Sequence, residues 1–192
     1  MGMKLFNGTL VWLLFSIIVT GCGNRQVVPE SQSSEPPAQK SESPLAHWVR
    51  FSPEGGNFSV LFPSTPQEKV QSSQTPYGKM EAHSFVAKED VQDAYGVSYN
   101  DVPKFRDIKP YLDKIQALEV GDQGKIVFQQ EIKIGNNSAR EIEFVKGGKA
   151  NYSVRLRMIP VGQRLYLLTV IFLTGNPHPE QCDAFFKSFS LL

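Results

Sequence analysis

The chain has two cysteines and three histidines among its 192 residues. Cys22 ends the stretch IIVTGC, where a greasy run gives way to Gly23, Asn24 and Arg25, and Cys182 lies in PEQCDAFF. His47, His83 and His178 are far apart, and none has a Cys, His or acidic residue at a spacing suited to a metal. Three ordinary histidines are therefore expected, with no metal ligand among them. His83-Ser84 places a base beside a hydroxyl. There is no G-x-S-x-G elbow and no evident orienting acid, so no catalytic residue is assigned. Gly147-Gly148 between Lys146 and Lys149 could draw an anion onto backbone N–H groups. A Gly pair between two strand patterns reads first as a hairpin turn, and no cofactor is expected.

The richest polar set is Arg140, Glu141, Glu143, Arg155 and Arg157. Arg155 and Arg157 are two apart, so on a strand they share one face, with Val154, Leu156 and Met158 on the other. If Gly147-Gly148 forms a two-residue turn, Arg140 comes to lie opposite Arg155, an unfavourable pair without acids nearby. Arg140, Arg155 and Arg157 are thus the candidate binding residues, either as a ligand-facing basic patch or as a structural set neutralised by acids. Tyr95, Tyr99, Tyr111 and Tyr152 could line a cleft, and their alternation fits core packing equally well.

These side chains must be placed in a cell and on a fold. Residues 1–21 have the parts of an export signal: Lys4 near the start, the apolar run Leu10 to Val19, then Thr20 and Gly21. That run falls short of the roughly 20 apolar residues a spanning helix needs. Val19-Thr20-Gly21-Cys22 resembles the lipobox of bacterial lipoproteins. The resemblance implies that the Cys22 sulfur takes a diacylglyceryl group, that the signal is cut just before it, and that Cys22 becomes the N-terminus. A secreted or otherwise anchored protein with an incidental cysteine is the competing reading. Each buried methylene contributes about 0.8 kcal/mol, so two or three palmitate-length chains would hold the protein almost permanently on a membrane. Such a protein faces the periplasm or the exterior. Removal of residues 1–21 takes Lys4 and no acid, leaving 19 basic against 19 acidic residues. A neutral chain gives no reason to expect a nucleic-acid partner. Cys182, on the apolar side of a predicted helix, is expected to be a buried, inert thiol.

Residues 22–46 comprise the lipidated cysteine and a Ser-, Pro-, Gln- and Glu-rich segment without an aromatic residue. Such a composition cannot offset its ordering entropy and is expected to be a disordered tether. Residues 47–192 then form a single domain with a sizeable core. In NFSVLFP, Phe58, Val60 and Phe62 alternate along a strand that Pro63 ends, and strands follow at 79–87 and 94–101. DIKPYLDKIQALEVG changes to helical spacing, with Asp107 to cap it, Pro110 in the first turn and Gly121 to stop it. IVFQQEIKI, AREIEFVK, ANYSVRLRMI and RLYLLTVIFL read as a four-stranded meander. Ile126, Phe128, Ile132 and Ile134 are expected on one face of its first strand. RLYLLTVIFL is apolar on both faces, as a central strand would be. PEQCDAFFKSFSLL closes the pattern as a helix burying Cys182, Phe185, Phe186 and Phe189. The sum is an α+β domain.

The series FSVLFP with Pro66, VSYNDVP, a helix, a meander ending in RLYLLTVIF and a closing FFKSF helix resembles the PsbP-like superfamily. That superfamily includes the extrinsic PsbP subunit of photosystem II, the DcrB-like bacterial lipoproteins and a Ran-binding nuclear transport factor. The resemblance implies an antiparallel sheet flanked by helices and a non-enzymatic accessory or protein-binding role. It carries over no binding residue. The alternative from another class is a small hydrolase or ligand-binding lipoprotein of the envelope.

Overall fold

A computed structural model describes residues 45–75, 78–89, 93–102, 107–147, 152–174 and 179–192. Ten strands and two helices occur among them, in the order β1 (Val49–Phe51), β2 (Phe58–Phe62), β3 (Gln67–Thr75), β4 (Gly78–Lys88), β5 (Ala94–Asp101), α1 (Lys109–Val120), β6 (Gly124–Ile134), β7 (Asn137–Lys146), β8 (Tyr152–Val161), β9 (Arg164–Leu173), α2 (Pro179–Ser188) and β10 (Ser190–Leu191). Seven strands form one antiparallel sheet in the order β3-β4-β5-β9-β8-β7-β6, and β1-β2-β10 form a small antiparallel sheet. Leu45 already packs against the core, two residues ahead of the expected domain start at His47.

β9 sits at the middle of the large sheet, and its two-sided apolarity explains why. Tyr166, Leu168 and Val170 enter one core, while Leu165 and Leu167 enter a second core on the opposite face. The second core is closed by Leu112, Ile115 and Val120 of α1 over Ile142, Phe144, Val154, Leu156 and Met158. The first is roofed by the small sheet and α2. Phe58, Val60 and Phe62 meet Phe185, Phe186 and Phe189 over Phe85, Tyr95 and Tyr99. Helices on either side of the sheet were expected. In the structure, one of the two faces is shared between a helix and a second sheet.

Local signals account for α1. The Asp107 carboxylate accepts a hydrogen bond from the Lys109 N–H at 2.9 Å, although the N-cap position itself is Ile108. Gly121 ends the helix at φ 68°, where its N–H donates to the Ala117 carbonyl. Three residues on, the backbone passes so close that a Cβ on Gly124 would lie 2.2 Å from the Val120 carbonyl oxygen. Only glycine fits between the helix end and the strand it leads into.

Two expected registers are corrected. β7 and β8 pair with Lys146 opposite Tyr152, so the connection occupies 147–151 rather than a two-residue Gly147-Gly148 turn. Arg140 consequently faces Met158, not Arg155. The shift is odd in number, which moves Arg140 to the face opposite Arg155 and Arg157. In β6 a bulge at Val127 separates Ile126, opposite Phe144, from Phe128, opposite Glu143. Ile126 therefore lies on the α1 side, and Phe128, Ile132 and Ile134 on the other.

Three strands had no alternating apolar signal. β3, an edge strand, is polar apart from Val70, and β1 and β10 are only three and two residues long. The closing helix ends at Ser188, where the Ser188 hydroxyl donates to the Phe185 carbonyl at 2.7 Å and accepts from the Leu61 N–H at 2.9 Å.

Phe185 is fully buried between Phe62, Tyr95 and Phe186, with ring centroids 5.4–5.7 Å apart. Phe185→Ala should cost about 3–5 kcal/mol in urea-induced unfolding. Leu118→Ala, on an exposed position of α1, should change stability by less than about 0.5 kcal/mol.

Candidate functional site

Arg155 and Arg157 project from β8 toward α2, and Glu141 of β7 stands between them. Glu141 has no solvent exposure. Its Oε1 accepts from Arg155 Nε at 3.0 Å and Nη2 at 2.7 Å, and its Oε2 accepts from Arg157 Nε at 2.8 Å and from Nη2. Burial alone would raise this carboxyl. The bonds from Arg157 and Arg155 outweigh it and hold Glu141 below the usual carboxylate range. The remaining donors reach α2, Arg155 Nη1 to Asp183 at 2.7 Å and Arg157 Nη1 to the Phe186 carbonyl at 3.1 Å. Both guanidinium groups also lie over the Phe186 ring, at 5.4 and 4.7 Å. Their positions thus fasten α2 to the sheet.

Arg140 does the same for the other helix. From the opposite face it donates to Asp113 at 2.6 Å and Gln116 at 3.1 Å on α1, and to Glu131 of β6 at 2.8 Å. The three arginines expected to form one patch are therefore divided between two faces, each among acids. Sequence reading supplied the acids Glu141 and Glu143, but the odd register shift hid which arginine each would meet.

Cys182 is buried against the same network, with Arg155 Nη1 3.8 Å from its sulfur. Burial pushes the thiol up to about 11, and the nearby Arg155 charge only partly opposes this. His83 and Ser84 are neighbours on β4 and so point to opposite faces. His83 Nδ1 lies 3.3 Å from Glu68, and its ring stacks on Tyr99 at 4.8 Å. Ser84 Oγ is buried and has no hydrogen-bond partner among the described residues. His47 lies 3.7 Å from Glu89. His178, Gly148 and Lys149 fall outside the described residues, as do Cys22 and the lipobox. Among the described residues no group of three or more His, Cys, Asp or Glu side chains could hold a metal ion.

Of the two readings of the tyrosines, core packing is the one found for three of them. Tyr95 and Tyr99 belong to the first core, and Tyr111 packs against the second. A cleft of about 600 Å³ opens at one end of the sheet, where Asp101 ends β5 and Arg164 begins β9. Arg164 grips Asp101 through two bonds of 2.7 and 3.0 Å, donates to the Gly55 carbonyl at 2.6 Å and lies 4.5 Å above the Tyr99 ring. The bond from Arg164 holds Asp101 below the usual carboxylate range. Tyr166 donates to the Gly56 carbonyl at 2.9 Å in the cleft wall. Lys79 and Gln163 share the rim with Met80, Val161, Leu191 and Leu192. No sequence signal marked this cleft, because its residues come from five separate segments.

With this geometry in hand, the chain can be set beside known proteins. Cyanobacterial PsbP (CyanoP) from Synechocystis sp. PCC 6803 superimposes with a TM-score of 0.52 at 10% identity, covering 82% of this chain and 98% of that one. A Pseudomonas aeruginosa protein of unknown function aligns at TM-score 0.46 and 11% identity over 77% of this chain and 97% of that one. A Bacteroides thetaiotaomicron protein aligns at 0.45 and 14% over 76% and 49%. No protein-family model and no curated protein matches the chain. The likeness to CyanoP shows a fold like that of PsbP, of antiparallel sheets with few helices. At this identity it describes the fold alone.

Glu141→Gln leaves Arg157 without a carboxylate and Arg155 with Asp183 only, and should destabilise the domain by on the order of 3 kcal/mol. The folded pKa of Glu141 is depressed, so its contribution is complete above the unfolded value of about 4.3 and is lost as pH falls through the folded value. Chemical unfolding between pH 7 and pH 2 should show a shallower acid limb for Glu141→Gln than for the parent. Cys182 should ignore a thiol reagent in the native domain at pH 8 and react fully in denaturant.

Proposed function

We propose that this protein is a lipid-anchored accessory protein of the bacterial envelope that works by binding another protein. Val19-Thr20-Gly21-Cys22 at the end of a short apolar run supports the anchor. Among the described residues no helix is long and apolar enough to cross a membrane. An anchor at Cys22 would hold the PsbP-like domain at the bilayer through the Ser- and Pro-rich segment that precedes it.

The observation that carries the binding role is the commitment of the reactive-looking side chains to one another. Glu141, Arg140, Arg155 and Arg157 are spent on holding two helices. Burial raises the Cys182 thiol, and His83 is turned away from Ser84. The cleft beside Arg164 is different, because Gln163 and Lys79, whose ion pair with Glu81 at 3.1 Å is exposed, sit at its mouth with apolar neighbours. A rim that mixes charge with exposed methyl groups suits a protein surface.

Two measurements test the two halves of the reading. Mass spectrometry of the mature chain should find an N-terminal peptide beginning at Cys22 and heavier by a diacylglyceryl group. Cys22→Ser should lack both the mass and the cleavage. An unmodified Cys22 thiol in the mature protein defeats the anchor. Cross-linking in membranes should capture a partner, and Lys79→Glu should cut that capture at least about tenfold while thermal stability stays unchanged. Equal capture by Lys79→Glu removes the cleft from the interface.

A further inference from the structure

The two edges of the seven-stranded sheet are unlike. β3 is polar, with Val70 its one exposed large apolar residue. β6, at the other edge, is eleven residues long and exposes Ile126, Val127 and Phe128 at 37%, 54% and 40%. A long edge strand with apolar side chains is a template for another strand. The bulge at Val127 disturbs its beginning, but Phe128 to Ile134 pair with β7 one for one. Among the described residues that stretch presents the unpaired N–H and C=O groups of a regular strand on its outer side.

We propose that β6 is a self-association edge, at which two copies pair antiparallel about a two-fold axis through Ile132 and join their sheets into one. Charge selects both the occupant and the register. With the axis at Ile132, Glu131 of each copy stands opposite Lys133 of the other, giving two opposite-charge pairs. Lys133 lies opposite Ser138 within its own chain and has no acid across that strand pair. Glu131 bonds Arg140 through Oε1 only, and its side chain is 61% exposed. The assembled row would run Arg140, Glu131, Lys133 of the second copy, alternating in sign. On the other face Ile132 meets Ile132, and Gln130 meets Ile134.

Neighbouring registers lack this match. An axis at Glu131 or at Lys133 sets like charges directly opposite, which is unfavourable. An axis at Gln130 sets Lys133 against the bulged Val127. The strand is complementary to itself in one register, and a second copy is the partner that fits it.

The test uses the full chain carrying Cys22→Ser, so that the one remaining native thiol is the buried Cys182. Adding Ile132→Cys should give a disulfide-linked dimer in detergent solution under mild oxidation. Val70→Cys on β3 should give at least about tenfold less. Sedimentation of the full chain in detergent should show a reversible dimer. Lys133→Glu should weaken it about tenfold, by turning two attractive pairs into two repulsive ones. Lys133→Arg, which keeps the charge, should leave it within about twofold of the parent. A single monomeric species at about 100 μM, where a micromolar dimer would be nearly all assembled, overturns the proposal. So does cross-linking at Val70 equal to that at Ile132, or a Lys133→Glu variant that dimerises as well as the parent.

Discussion

A strand buried on both faces has to be apolar at every position, and β9 is where this chain meets that demand. Leu165 and Leu167 look one way, and Tyr166, Leu168 and Val170 look the other. Two hydrophobic layers are thereby tied to one strand, and every other element is placed by the layer it closes. β5 and β8 flank β9 and carry nearly as much buried surface. β3 and β6, at the margins, are free to be polar or mixed. Burying a large side chain on this strand contributes roughly 1.5–3 kcal/mol. The strand therefore supplies both cores, and only its first residues, Arg164 and Tyr166, reach the cleft.

The helices need more than apolar contact to stay in register with a sheet, and the arginines of β7 and β8 supply it. Arg140 reaches Asp113 and Gln116 on α1, whereas Arg155 and Arg157 reach Asp183 and the Phe186 carbonyl on α2. Glu141 makes the second arrangement tolerable. Two guanidinium groups side by side on a covered face would repel, and a lone carboxylate with no exposure would carry a large desolvation cost. Together they cancel charge and satisfy each other's hydrogen-bonding groups in fixed directions, which a purely greasy contact between α2 and the sheet could not do.

Much of the fold was legible because its strongest elements depend on local pattern. The two-sided apolarity of RLYLLTVIFL, the helical spacing of Ile108, Leu112 and Ile115, and the inward set Cys182, Phe185, Phe186 and Phe189 reflect burial by nearby elements. What stayed hidden depends on partners distant in sequence. β3 pairs with β4 along its whole length yet shows no alternation, because its outer edge meets water. The register of β7 on β8 turned on whether two or five residues made the connection. That small difference moved Arg140 to another face and changed the meaning of the candidate site. The bulge at Val127 acted in the same way on Ile126. The cleft was illegible for a related reason, since Asn57, Lys79, Asp101, Arg164 and Leu192 converge only after the sheets have formed.

Arg140, Glu141, Arg155 and Arg157 are consumed in holding the domain's own layers together. They cannot be recruited without loosening a helix, so the proposed recognition falls to places where the fold is incomplete. One is the sheet end beside Arg164, where the guanidinium closes one wall and leaves the mouth to Lys79 and Gln163. The other is the β6 margin, where among the described residues a row of backbone groups lacks a neighbouring strand. The first offers shape and mixed polarity, and the second offers direction and register. The proposed anchor at Cys22 would favour both, because tethering raises the local concentration of every copy and makes weak contacts effective. The same economy that makes the core stable thus concentrates interaction at its open end and its open edge.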